Sequence, residues 1–256
     1  MDKEKLLDIA CKLGRGLLEN GGEIYRVEES IKFFLASYDI DNPQVFAIPA
    51  TIIVTIIGDD GKPVTQIERI TGISQNMNRM HKFNGLCRWA CSTRPGLDEL
   101  YEKLDSVNNS VPYPHWAVII AYGVASLFFC LFWGGNAGDA AVAFFAGIAT
   151  EYCLAFMRRI KTNIFFSNLV ASAVIALIAF AGIRLGLGSN MDKIIIGAIM
   201  TLVPGVAITN IMRDIISGDI ITGTTKLAEV LLVATSIAIG IALMLSALQM
   251  FFGGVI

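Results

Sequence analysis

The chain reads as an α-helical polytopic membrane protein in which five transmembrane helices follow an N-terminal α+β cytosolic domain. Three observations carry that expectation. Of 256 residues, 54% are hydrophobic and only 16% are charged, with a mean hydropathy of +0.61, too apolar for an ordinary soluble domain. The charge is also unevenly spread, with 29 Asp, Glu, Lys and Arg in residues 1–114 and 13 in residues 115–256. The apolar remainder divides into stretches close to the roughly 20 residues needed to cross a bilayer core.

The N-terminal part alternates helix and strand signals. Residues 1–20 place Leu6, Ile9, Leu13, Leu17 and Leu18 at helical spacing, and Asn20-Gly21-Gly22 supplies a stop. A second helix is expected from Glu23 to Tyr38. From Gln44 to Ile70 the residues turn β-branched, and the stretches 51–57 and 64–67 flank the turn Gly58-Asp59-Asp60-Gly61, which predicts a hairpin in a small sheet. Helices from Gln75 to Cys91 and from Gly96 to Val107 complete a cytosolic domain of residues 1–112. It closes on Asn108-Asn109-Ser110 and the prolines Pro112 and Pro114. The opening Met1-Asp2-Lys3-Glu4-Lys5 is followed by no apolar run of the kind a cleaved secretory signal carries, so this domain is expected in the cytosol.

In the membrane domain, residues 113–256, spans are predicted near 115–133, 139–157, 164–186, 192–216 and 227–249. Tyr113, His115 and Trp116 at the start of the first span and Trp133 at its end match an interfacial aromatic belt. The first loop has no Lys or Arg, whereas the second has Arg158, Arg159 and Lys161. The second loop and the N-terminal domain are therefore expected inside and, after five crossings, the C-terminus outside. Arg184 and Lys193 in the third loop run against this direction; Arg213 and Lys226 run with it.

Several function classes drop out. A net charge of −2 and a pI near 5.7 give no basic stripe for nucleic acid. The five cysteines, Cys11, Cys87, Cys91, Cys130 and Cys153, are odd in number and scattered, with neither a disulfide framework nor zinc spacing. There is no GxxxxGK[ST], HExxH or GxSxG motif, and His81 and His115 are the only histidines. No catalytic residue, cofactor or metal site is expected.

Polar groups inside apolar spans are costly and mark sites. Glu151 lies about two helical turns before the basic end of the second span. It reads either as a site for a proton or an amine, or as an inward acid paired with an arginine. The densest polar group runs from Thr201 through Pro204-Gly205 to Asn210, Arg213, Asp214, Ser217, Asp219, Thr222, Lys226 and Glu229. Proline lacks a backbone donor and clashes with the preceding turn, so Pro204-Gly205 predicts a kink or an interruption. Broken helices at mid-membrane present carbonyls and half-helix ends that hold ions and small charged groups. Asn210 with Asp214, and Thr222 with Lys226, are i,i+4 pairs that share a helix face. The alternative is a solvated loop whose charges anchor the span ends. The expected substrate- or ion-binding residues are Glu151, Pro204, Gly205, Asn210, Arg213, Asp214, Asp219 and Lys226.

Two motifs carry a resemblance. Leu17-Leu18-Glu19-Asn20-Gly21-Gly22 followed by Tyr25-Arg26-Val27-Glu28, together with Leu202-Val203-Pro204-Gly205, Asn210, Arg213-Asp214, Gly218-Asp219 and Gly223, resembles the threonine/serine exporter family of bacterial membrane proteins over nearly the whole chain. Full-length members carry a soluble domain and about twice as many spans, so this chain resembles the larger subunit of the split, two-component type. The resemblance implies a smaller multi-span membrane subunit as partner and a hetero-oligomer in the bacterial inner membrane. It further implies proton-coupled secondary export of threonine and serine, or of succinate and related dicarboxylates. Lys226 stands where the resemblance expects an arginine, keeping the charge and losing the bidentate fork. A membrane-tethered sensor or assembly scaffold is the reading from a different class; five spans with a broken fourth are more than an anchor requires.

Overall fold

The computed structural model describes residues 2–110 and 113–252. The expected break at Pro112 and the C-terminal end assigned to the outside lie outside the described residues. The chain forms two compact units, one from Met1–Val111 and Asn210–Thr224, the other from Pro112–Thr209 and Thr225–Ile256.

The first unit begins with α1 (Lys3–Glu19) and α2 (Ile24–Ser37), continues through strands β1 (Gln44–Ile48), β2 (Thr51–Ile57) and β3 (Pro63–Arg69), and adds α3 (Met77–Thr93) and α4 (Leu97–Asn108). Asp2 caps α1 by accepting the Lys5 amide at 3.0 Å. The stripe Leu6, Ile9, Leu13 and Leu17 is buried, as its spacing requires. The helix stops at the predicted glycines. Gly21 sits at φ +92°, a conformation that favours glycine, and Gly22 then returns its amide to the Leu17 carbonyl at 2.9 Å. The predicted hairpin is β2–β3, and β1 completes an antiparallel sheet in the order β1-β2-β3, with Val45 opposite Val54. Along β2, Ile52, Val54 and Ile56 are buried while Thr51, Ile53 and Thr55 are half-buried, the two-residue period of a sheet with one covered face. Ile52 and Ile31 meet over Gly14, and the Phe83 ring lies on Gly16 so closely that a Cβ there would overlap it.

The remaining helices are α5 (His115–Phe132), α6 (Ala137–Arg159), α7 (Ile164–Arg184), α8 (Met191–Ile199), α9 (Gly205–Ile216) and α10 (Ile220–Phe252). Among the described residues, α5, α6, α7 and α10 are long and apolar enough to cross a membrane. The expected fourth span, 192–216, is not one helix. Its first piece, α8, has 9 residues, about 14 Å of rise against a core of about 30 Å. The cause is local. The amides of Leu202 and Val203 both return to the Ile199 carbonyl, at 2.8 and 3.1 Å, and Pro204 has no amide to continue the ladder. The helix restarts when Ile208 donates to the Pro204 carbonyl at 3.0 Å. The last span begins earlier than expected, at Ile220, because Asp219 caps it: Gly223 donates to the Asp219 carbonyl at 3.0 Å and Thr222 to its carboxylate at 3.4 Å.

Small side chains line the inside of the second unit, where Ala143, Ala146, Ala171, Ala176, Ala179 and Ala198 are fully buried. Large ones, including Trp116, Phe128, Phe132, Phe145, Leu231 and Leu232, face outward. This is how helices pack when their solvent is lipid, since close backbone approach replaces hydrophobic burial as the driving force.

Candidate functional site

The site is built on the hairpin of α9 and α10. At its tip Gly218, at φ +94°, reverses the chain, and the Asp219 amide donates to the Asp214 carbonyl at 2.9 Å. Asn210 and Asp214 share one face of α9; Asn210 is half-buried and Asp214 is 1% exposed. A buried carboxylate needs a partner or a proton to stand in such a place. Its neighbour Arg213 projects from the adjacent position and forms an ion pair through Nη1 with Oε1 of Glu23, a residue of the N-terminal segment in the same unit.

Glu23 is itself only 8% exposed, and its second oxygen lies 2.9 Å from Nε of Arg26. The result is a charge chain, Arg213–Glu23–Arg26, with the acid in the middle. The N-terminal motif supplies the geometry. Asn20 donates its side-chain amide to the Gly16 carbonyl at 2.7 Å and accepts the Asn76 amide on its own carbonyl at 3.3 Å, which fixes the turn that delivers Glu23. Val27 is buried in the core, and Glu28 accepts the Ala47 amide at 2.8 Å, tying α2 to β1.

The other expected residues take different places. Pro204 forms the break before α9 and Gly205 opens that helix, its amide donating to the Val203 carbonyl at 2.8 Å. Asp219 is half-buried and serves as the cap of α10. Lys226 is half-buried one turn beyond Thr222, which is fully buried. Glu151 belongs to the other unit. It is 2% exposed and paired with Arg158, two turns along its own helix, which is the arginine-paired arrangement weighed for it above.

Two functional-looking acids escape the sequence reading. Glu23 has its partner 190 residues away, and no local pattern announces that. Asp139 is wholly buried and accepts from the amides of Asn136 (3.0 Å), Ser189 (2.7 Å) and Asn190 (2.9 Å) and from the Asn190 side chain (2.8 Å). The reciprocal bond from the Asp139 amide to Asn136 makes a capping box, so the spacing Asn136-x-x-Asp139 is the signal that points to it. Its hydrogen bonds are spent on joining two loops. Among the described residues, no group of three or more His, Cys, Asp or Glu stands close enough to hold a metal ion.

A family described as "Putative threonine/serine exporter" matches residues 8–248. The chain is 24% identical over 248 residues to the probable threonine/serine exporter of Mycobacterium tuberculosis, covering 94% of this chain and 46% of that protein. It is 24% identical over 251 residues to the threonine/serine exporter of Corynebacterium glutamicum, covering 93% and 50%. It is 24% identical over 240 residues to the probable succinate transporter subunit YjjP of Klebsiella aerogenes, covering 93% and 92%. The chain thus spans about half the length of the two exporters and nearly all of the succinate transporter subunit. No solved structure matches it.

Proposed function

The chain belongs to the threonine/serine exporter family and is an integral membrane protein; on that premise we propose that it is one subunit of a proton-coupled secondary transporter exporting threonine and serine, or succinate and related dicarboxylates. The observation that carries this is the pair Arg213-Asp214, a guanidinium beside a buried carboxylate, one helix after the break at Pro204 and inside the matched segment. A guanidinium binds a carboxylate through two parallel hydrogen bonds. A buried aspartate takes an ammonium group or the coupling proton. Relatives named succinate transporter subunits support the dicarboxylate reading as the second one. The relatives named as transporter subunits support a smaller multi-span membrane subunit as partner.

The proposed topology has five crossings in the inner membrane, the N-terminal domain in the cytosol and the C-terminus outside. Residues 210–224 belong to the same unit as residues 1–111, and three long apolar helices intervene. Returning to one side of a bilayer takes an even number of crossings, and the fourth is proposed from residues 191–209, α8 with the turn at 200–204 and the opening of α9, all of the second unit. Arg158 and Arg159 in the last turn of α6, with Lys161 just beyond it, support the cytosolic assignment of that side.

The test is uptake of labelled serine, threonine and succinate into inverted vesicles of the native host, with the chain present or deleted and the proton gradient intact or collapsed. Uptake of at least one substrate that needs both the chain and the gradient is the expected result. Uptake of none, with the chain inserted, overturns the reading in favour of a sensor or scaffold.

A further inference from the structure

We propose that Glu23 is a tethered stand-in for the substrate carboxylate: it pairs with Arg213 and is displaced when a carboxylate substrate binds. The inference rests on the transport reading above and adds a residue of the N-terminal domain to the binding reaction.

Four features of the charge chain point this way. Arg213 is held on one nitrogen by Glu23 while its side chain is 46% exposed, so part of its donor fork remains reachable. Glu23 is not fully satisfied. Its Oε2 is buried and has no hydrogen-bond partner among the described residues, although Arg26 Nε stands 2.9 Å away, out of line for a hydrogen bond. When Arg213 is taken by another carboxylate, Arg26 is therefore already in place to keep the charge on Glu23 compensated, and no buried carboxylate is stranded. Finally, Glu23 is delivered by a stiff turn: Gly21 is left-handed, and a Cβ on Gly22 would stand 2.8 Å from the Leu17 carbonyl, so the chain is committed to aiming this residue.

The chemistry is a competition of two carboxylates for one guanidinium. A guanidinium pairs with any carboxylate that reaches it, and the tethered glutamate fills that role until substrate arrives. The ligand class is thus any small carboxylate of the proposed function, whereas the corresponding amides lack the anion and do not displace Glu23. Release of Glu23 also breaks the ion pair between α9 and the start of α2, which makes the N-terminal domain respond to occupancy of Arg213.

The test uses the full chain in inverted vesicles of the native host, deleted for its own copy and complemented with each variant. Glu23→Gln keeps the shape and removes the competing charge, so the apparent KM for the transported carboxylate should fall roughly three- to tenfold, the tax of an occupied site being lifted. A charge swap, Glu23→Arg with Arg213→Glu, rebuilds the ion pair and leaves no cation aimed from α9; it should insert in normal amounts and not transport. A KM unchanged or raised in Glu23→Gln, or transport restored by the swap, overturns the inference and leaves the transporter reading standing. Wild-type vesicles that move none of the carboxylates overturn both.

Discussion

Asp8 on α1 shows how a partly buried charge is kept in this fold. Burial pushes its pKa up, but the Lys12 ammonium 2.7 Å away, the Gln66 amide at 3.0 Å and the Tyr101 hydroxyl at 3.1 Å together hold it below the ordinary value of 3.8. A carboxylate lowered on folding stabilises the native state above its unfolded pKa, and that contribution is lost as pH falls through the folded value. Thermal unfolding followed from pH 7 to pH 2 should show a fall in midpoint below about pH 4 that is shallower in Asp8→Asn; the same slope in both proteins would contradict it. Burial pushes Cys11 and Cys87 up to about 12, so both remain thiols at neutral pH and behave as small apolar side chains. Residue by residue, legibility followed contrast. Arg213 and Asp214 stand out because they interrupt apolar sequence, whereas Glu23 lies among the ordinary charges of the N-terminal segment and is distinguished only by a partner 190 positions on.

The elements were legible where periodicity is local. The stripe of α1, the Asn20-Gly21-Gly22 stop and the β2–β3 hairpin all follow from spacing and turn chemistry. The fourth span was legible in its break and not in its lengths, because a hydropathy window measures apolar content and is blind to continuity across 200–204. The early start of α10 escaped for a related reason: Lys226 lowers the local hydropathy and hides a helix that Asp219 has already capped. Replacing Pro204 by Ala restores the missing amide and removes the ring clash. Hydrogen exchange across residues 200–204 should slow, and uptake should slow with it, by roughly tenfold or more if the break is part of the transport cycle, since about 1.4 kcal/mol of barrier is a factor of ten. Unchanged exchange and unchanged uptake would show that the turn is held by its surroundings and has no part in turnover.

At the scale of the whole chain, residues 210–224 pack with the N-terminal segment although helices α5 to α8 lie between them in sequence. Such an association is written in the pairing of Arg213 with Glu23 and leaves no trace in any window of sequence. It ties the N-terminal segment to the tip of the α9–α10 hairpin, where the site is proposed, while Glu151, paired with Arg158, belongs to the other unit. The decisive experiment compares wild type with Asp214→Asn for uptake of labelled serine, threonine and succinate into inverted vesicles, at matched amounts of inserted protein. The account predicts that chain-dependent uptake falls to the level of vesicles lacking the chain, while equal uptake by the two proteins would contradict it.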